Sequence, residues 1–259
     1  MIRCEHIQFK IGKKILLDDI DCSFESGKLN LIIGPNGAGK STLIKILSRQ
    51  LQPQKGSVFF DEKNLLQFSA QELAKIRAVL SQNIDLAFPM QVREVVMMGR
   101  YPHFSGKPQK QDHQACSEAM ELFGVTPFAD RNYLSLSGGE KQRVQFARVF
   151  AQIWYKEAGQ RYILLDEPLT FLDIKFQYLF LKEIKRIVQN ENLLAIGVLH
   201  ELNFAAQFAD DLLLLHEGKI MAKGMPSAVL TEENILQTFG LRMKCQTTEN
   251  GLILSFVGI

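Results

Sequence analysis

The chain has 259 residues, 46% of them hydrophobic, a formal net charge of +2 and four cysteines. That length can bury a full core but is too short for two ordinary large domains. The near-neutral balance gives no case for bulk electrostatic binding of nucleic acid, and no apolar run is long enough to span a bilayer. Cys4, Cys22, Cys116 and Cys245 lie far apart with no metal-ligand spacing. They read as packed thiols in a reducing compartment, and residues 1–6 hold no signal-peptide core, so a soluble cytoplasmic protein is expected.

Residues 7–24 contain strand-like stretches about a turn at Gly12. Residues 29–33 are a short apolar run that stops at a glycine-rich loop, and 40–50 read as a helix. Residues 57–60 and 79–81 are further strands, with a short helix over 71–76 between them. From about residue 83 to 154 the pattern changes: 92–99 is apolar at helical spacing, 101–110 is a loop rich in Pro, Gly and Lys, and 114–123 and 139–154 are helical. Residues 162–165, 194–199 and 211–215 are nearly continuous apolar runs, as in strands covered on both faces. Helices over 176–190 and 203–208 intervene, and this alternation predicts a largely parallel sheet. At the end, 244–248 and 252–257 flank Asn250-Gly251, a hairpin signal. The expected organisation is one domain: an α/β core from 1–84 and 155–240, a helical subdomain inserted over 85–154, and a C-terminal hairpin over 241–259.

Gly34, Pro35, Asn36, Gly37, Ala38, Gly39, Lys40, Ser41 and Thr42 form the pattern G-x-x-x-x-G-K-[ST] and its next residue, between a strand and a helix. The glycines let the backbone wrap a phosphate chain and aim its N–H groups inward, and the helix N-terminus adds partial positive charge. Lys40 is placed to reach the β- and γ-phosphates, Ser41 to ligate Mg²⁺, and Thr42 to hydrogen-bond a phosphate oxygen. The plain alternative, an accidental glycine-rich turn, matches this pattern in about one chain of this size in a hundred. Asp166 and Glu167 close another apolar strand, where open α/β sheets bind ligands. Two adjacent carboxylates there are costly unless a cation or substrate uses them. Asp166 would hold Mg²⁺ through its water shell, and Glu167 would polarise an attacking water. Alone, Asp-Glu-Pro is as readily a surface turn; the upstream phosphate loop decides against that.

Leu136, Ser137, Gly138, Gly139 and Glu140 make the third run. Ser137 with Glu140 three residues on is a capping box, so these residues could simply start a helix. Gly138 and Gly139 are poor helix formers in a first turn, however, and make sense where another molecule approaches the backbone. With these three runs in order, the chain resembles the ATP-binding cassette family over essentially its whole length. The resemblance implies an α/β fold: a RecA-like P-loop NTPase core with a largely parallel sheet, an N-terminal antiparallel β part and an inserted α-helical subdomain. It also implies ATP as substrate with Mg²⁺, and a head-to-tail dimer with a second copy in which the signature run of one chain closes on the γ-phosphate held by the other. Gln82 matches the family's metal-sensing glutamine, which also links to the membrane subunit. Asp173 matches an aspartate that crosses the dimer interface, and His200 matches a histidine that contacts the γ-phosphate. Three departures stand out: Ile11 near the adenine site where an aromatic is common, bulky Phe171 where a small residue is common, and Glu201 where Asp is common.

Finer resemblance concerns the cargo. The segment from Met98 through Gly99, Arg100, Tyr101 and Pro102 to His103, and the run from Leu199 to Ala206, look like the importers of ferric siderophores, haem and cobalamin. The signature helix and the 161–169 junction are closest to the haem importers' ATPase subunits. The resemblance therefore implies transmembrane permease subunits as partners, a periplasmic or surface haem-binding protein as an indirect one, no nucleic acid, and a place at the cytoplasmic face of the membrane. His103 is expected to cap a local carbonyl or pack beside Tyr101 rather than bind haem. Phe88 and Pro89 are candidates for a socket gripping a short permease helix. The competing class is a soluble cassette ATPase working on nucleic acid, ribosomes or iron–sulfur assembly; the absence of a heptad pattern between phosphate loop and signature weighs against its coiled-coil forms.

Overall fold

The computed structural model describes residues 1–81, 86, 88–155, 159–248 and 251–258. β1 (Ile2–Ile11) and β2 (Lys14–Phe24) pair antiparallel about Gly12. β3 (Leu29–Ile33) leads through the glycine loop into α1 (Lys40–Leu47). This helix stops short of residue 50 because Arg49 adopts a left-handed φ of 58° and the N–H groups of Gln50 and Leu51 turn back onto the Lys45 carbonyl. β4 (Lys55–Phe60), β5 (Lys63–Asn64), α2 (Ala70–Ile76) and β6 (Arg77–Leu80) follow. Then come α3 (Val92–Met97), α4 (Lys110–Leu122) and α5 (Gly138–Gln152). β7 (Tyr162–Leu165), α6 (Ile174–Asn190), β8 (Leu194–Val198), α7 (Leu202–Phe208) and β9 (Asp211–His216) restore the alternation. The chain closes with β10 (Lys219–Gly224), α8 (Pro226–Val229), α9 (Glu232–Phe239) and the hairpin of β11 (Arg242–Thr248) and β12 (Gly251–Gly258).

The main sheet has the order β10-β9-β3-β8-β7-β6, parallel throughout except for β10 at one edge. Its side chains alternate between two apolar layers, because successive Cβ atoms leave a strand on opposite faces. Leu31, Ile33, Leu165, Leu212 and Leu214 face a cluster shared with α3–α7, whereas Ile32, Leu164, Ile196, Leu213 and Leu215 face α1 and the antiparallel sheet β2-β1-β4-β5. Both layers are buried and apolar, which is why these strands read as unbroken apolar runs. Phe146 of α5 stacks on Phe180 of α6 with ring centroids 3.8 Å apart, joining the helical segment to the core. The C-terminal hairpin is seated by Met243 and Leu254, both buried in the core, and by an amide: Asn203 accepts from the Leu254 N–H at 2.9 Å and donates Nδ2 to the Leu254 carbonyl at 3.3 Å.

Besides the shortened α1 and the unanticipated β10 and α8, two further segments differ from expectation. Residues 98–103, anticipated as the end of a helix and the start of a loop, form a 3₁₀ turn fixed by Arg100, which is 1% exposed. Its guanidinium donates to Asp112 Oδ1 at 3.0 Å and to the Ala151 carbonyl at 2.8 Å. Asp112 also accepts from the Gln109 N–H at 2.8 Å, so α4 starts at Lys110, a turn earlier than expected. Gly99 sits where a Cβ would lie 2.1 Å from the Arg148 carbonyl oxygen, so only glycine lets this turn pack on α5. The second is α9, which was not anticipated although its signals are in the sequence: Thr231 caps Asn234 at 3.1 Å, Glu232 and Glu233 fill the first turn, and Gly240 ends it at φ 68°.

Arg100→Met should destabilise the chain by about 3–5 kcal/mol, because it leaves the buried Asp112 carboxylate without its cation. Chemical denaturation compared with wild type checks this, and a loss below about 1 kcal/mol, the range of an exposed ion pair, would contradict the clamp.

Candidate functional site

The glycine loop leaves β3 at the carboxyl edge of the parallel strands. Gly34, Gly37 and Gly39 have φ values of 150°, 81° and 105°, all left-handed and favouring glycine. Cβ atoms at Gly34 and Gly39 would also lie 2.1 Å from the Leu215 carbonyl oxygen and 2.5 Å from that of Leu16. Gly37 meets nothing within 4 Å, so its requirement is conformational alone. The Gly218 N–H donates to the Ala38 carbonyl at 3.1 Å, holding the loop from the β9–β10 turn. Gly218 is one functional residue that sequence reading missed; its only signal was Glu217-Gly218 between two strands.

Lys40 is buried and curls back, with Nζ donating to the Gly34 carbonyl at 2.8 Å and the Pro35 carbonyl at 2.9 Å. Burial lowers its pKa from the ordinary lysine value, opposed by the Glu167 and Asp166 carboxylates. Asp166 is anchored at the end of β7 by its N–H to the Leu80 carbonyl at 2.9 Å, and it accepts from Ser41 Oγ at 2.9 Å. Burial, with Glu167 alongside, raises its pKa from the ordinary carboxylate value, against the lowering effect of Ser41, Lys45 and Lys40. Glu167 takes a left-handed φ of 52°, and its Oε1 lies 2.7 Å from His200 Nε2, just beyond β8. Lys40, Ser41, Asp166, Glu167 and His200 thus come together, where parallel strands of an open sheet present ligand sites.

Ser137 caps α5 as the sequence predicts: its Oγ accepts from the Glu140 N–H at 3.4 Å, and its own N–H donates to Glu140 Oε2 at 2.8 Å. These residues bond to one another rather than to the phosphate loop, and Leu136 is buried beneath them. The glycines have an intrachain reason as well as an intermolecular one, since a Cβ on Gly139 would lie 3.2 Å from the Phe171 carbonyl oxygen. Asp173 is exposed and caps α6, accepting from the Phe176 N–H at 3.0 Å. Gln82 lies outside the described residues. His103 donates Nε2 to a carbonyl at 2.7 Å, as expected, but the acceptor is Gln152 at the end of α5, 49 positions away, rather than a local one. Beside it, Met90, Arg93, Met97, Tyr101, Phe104 and Met120 line a groove of about 570 Å³.

A parallel sheet with a phosphate loop at its carboxyl edge, facing a carboxylate pair at the end of the next strand but one, defines a P-loop nucleotide hydrolase. Comparison with known proteins narrows the class. A family model described as ABC transporter matches residues 17–170. The hemin import ATP-binding protein HmuV of Gloeobacter violaceus is 45% identical over 93% of this chain and 88% of its own length. The protein of the same name from Agrobacterium fabrum is 42% identical over 93% of this chain and 92% of its own. Among solved structures, an inward-facing ABC transporter of metal-chelate type superposes with a TM-score of 0.82 at 26% identity, covering 100% of this chain and 97% of that one. A dimeric bacterial ABC transporter cassette gives a TM-score of 0.76 at 23% identity, over 87% of this chain and 99% of that one, and so speaks to the fold. The chain belongs to the ABC transporter family and is a transport ATPase.

The shift at Asp166 has a measurable consequence. A carboxyl whose folded pKa lies above its unfolded value contributes stability that is full below the unfolded value and lost as pH rises through the folded one. At neutral pH the ionised Asp166 therefore works against the nucleotide-free fold. Asp166→Asn should raise the nucleotide-free Tm at pH 7, with the gain shrinking toward pH ~4, while abolishing hydrolysis. Melts at both pH values test this; a lower Tm at pH 7 would show that the ionised carboxylate is stabilising after all.

Proposed function

We propose that this chain is the ATP-binding subunit of a haem importer, working as a head-to-tail homodimer beneath transmembrane permease subunits at the cytoplasmic face of the membrane. The observation that carries the chemistry is the clustering of Lys40, Ser41, Asp166, Glu167 and His200 about one phosphate loop. The haem assignment is supported by relatives that align over nearly their whole length and bear the hemin import name.

In this reading, residues 34–42 bind the triphosphate through backbone N–H groups and the Lys40 ammonium, which exchanges its two loop carbonyls for phosphate oxygens. Ser41 and Asp166 present hard oxygens 2.9 Å apart on a buried carboxylate with a raised pKa, a donor set that suits Mg²⁺ arriving with ATP. The cation would neutralise charge on the phosphates, and Gln82 would join its shell. Glu167 accepts the proton of the attacking water, and His200, already in hydrogen-bond range of it, orients the carboxylate and reaches the γ-phosphate when the site closes. Leu136, Ser137, Gly138, Gly139 and Glu140 supply the other face of the partner copy's site, where the capped start of α5 suits an anion. Asp173 crosses between the copies. The groove lined by Met90, Met97, Tyr101 and Met120, with Phe88 and Pro89 just ahead of Met90 in the chain, is the surface offered to a permease helix.

The test is uptake into proteoliposomes carrying this chain with the membrane subunits that copurify with it. Haem, a ferric siderophore and cobalamin are each presented on a matching binding protein. ATP-dependent haem uptake that disappears with Glu167→Gln, which still binds ATP and accumulates as a dimer, is expected. Uptake of another cargo replaces haem; wild-type turnover by Glu167→Gln removes the base assignment. Ser137→Arg should leave ATP binding by a lone chain intact and stop hydrolysis by at least about a hundredfold. Normal hydrolysis by that variant would argue for a site complete within one chain.

A further inference from the structure

Two of the four cysteines, separate packed thiols in the sequence, are cross-strand partners in the fold. β1 and β2 pair with Ile2 opposite Phe24, Arg3 opposite Ser23 and Cys4 opposite Cys22. Ile2 and Phe24 are both buried, and residues two positions along a strand share its face, so both cysteines point inward. Cys4 belongs to the buried apolar cluster behind the antiparallel sheet, and half-buried Cys22 packs against the same cluster. A side-chain hydrogen bond with Cys22, then burial, raises the Cys4 pKa well above the ordinary thiol value. Directly opposed residues of an antiparallel pair have Cα atoms about 4.5 or 5.5 Å apart, according to their place in the ladder. Both values fall within the range of about 4.4–6.8 Å that a disulfide spans. The ladder slips just beyond the pair, between Cys4 and Ile7, where His6 takes a left-handed φ of 50°, and an interrupted ladder lets the adjoining backbone adjust. β2 is also an edge strand of its sheet. Cys116, by contrast, is buried beside Met97 Sδ at 3.9 Å with its pKa pushed up to about 12 by burial, and Cys245 lies on β11.

We propose that Cys4 and Cys22 form a reversible disulfide that staples the edge strand β2 to β1. The oxidant is a low-molecular-weight disulfide of the oxidised glutathione type. The Cys22 thiolate attacks one sulfur of that disulfide; its S–S bond breaks, one small thiol leaves, and a mixed disulfide remains on Cys22. Cys4 then gives up its proton and attacks the Cys22 sulfur, forming the cross-strand bond and expelling the second small thiol. Two protein thiols and one small disulfide become one protein disulfide and two small thiols. Two electrons pass from the chain to the oxidant, and both protons end on the leaving thiols. The raised Cys4 pKa makes the second step the slow one, because only the thiolate attacks. Reduced glutathione runs the same steps backwards. In a reducing compartment such a bond is transient and answers to the oxidant. It closes the loop of residues 4–22 and so restricts the unfolded chain. The staple also fixes the strand that backs the phosphate loop: the Asp18 N–H of β2 donates to the Gly218 carbonyl at 2.8 Å, and the Gly218 N–H holds Ala38.

The experiment equilibrates the full chain in excess oxidised glutathione, alkylates the remaining thiols under denaturing conditions, and digests with trypsin for mass spectrometry. The expected product is the peptide of residues 4–10 joined to that of residues 15–28. Excess reduced glutathione should release the two. The oxidised chain should melt about 5–10 °C above the reduced one, the shift expected for closing a loop of this length in a chain of this size. Cys22→Ser changes the half-buried member and leaves the core thiol in place, so the variant should fold yet lose both the joined peptides and the rise in Tm on oxidation. Glutathione carried on Cys22 with no bond to Cys4, or either cysteine joined to Cys116 or Cys245, overturns the assignment. A bond that excess reduced glutathione does not undo overturns its reversibility. An oxidised chain that melts no higher than the reduced one overturns the staple.

Discussion

The hydrogen bond from Ser41 to Asp166 spans 125 positions of sequence and joins the two strands on which the site is built. Ser41 sits in the first turn of α1, reached from β3; Asp166 ends β7, with β8 between those strands in the sheet. For the two side chains to meet at 2.9 Å, three parallel strands must be in register and must end at the same level. Register in a sheet apolar on both faces is enforced on each side by a dry layer, since slipping one strand by a residue would exchange its two sets of side chains. Much of the hydrophobic core thus serves to hold one hydroxyl beside one carboxylate. The loop meanwhile satisfies itself, with Lys40 Nζ bonded to the carbonyls of Gly34 and Pro35.

The parts of this design legible in the sequence are those in which a local pattern and a physical demand coincide. The strands β3 and β7 were read to the residue because an apolar run buried on both faces ends abruptly where a polar loop begins. Lys40, Ser41 and Asp166 were legible because phosphate and metal chemistry leave few choices of residue, and the Ser137–Glu140 box because capping is local. What stayed hidden depends on contacts between distant segments. Nothing in the neighbourhood of Arg100 says that its guanidinium is buried against Asp112 and the end of α5. Gln142 looks like any polar residue on a helix until Pro168 is found beneath it. The misplacement of α4 has the same origin, since its start is set by an aspartate committed to that buried arginine.

Signature glycines illustrate how one residue answers two demands. Read alone, Gly138 and Gly139 suggest an approach from outside the chain. The structure adds a demand from within, because a Cβ on Gly139 would crowd the Phe171 carbonyl oxygen at 3.2 Å. The two are compatible: a helix start stripped of side chains can carry a loop of its own chain on one flank and leave its N–H groups open on another. The bulky residue at 171, which stood out as a departure from the family pattern, is 70% exposed beside this turn.

The seating of the terminal hairpin on Asn203 carries a liability of a chemical kind. A side-chain amide is a neutral group that offers a donor and an acceptor together, as a residue of a strand does, and Asn203 spends both on the backbone of Leu254. Hydrolysis of that amide with age would turn the donor into a second acceptor facing a carbonyl oxygen and introduce a negative charge. The bond accepted from the Leu254 N–H would survive, while the bond donated to the Leu254 carbonyl would give way to repulsion between two oxygens. Damage to this one side chain would thus be felt 51 positions away, at the strand whose backbone it holds.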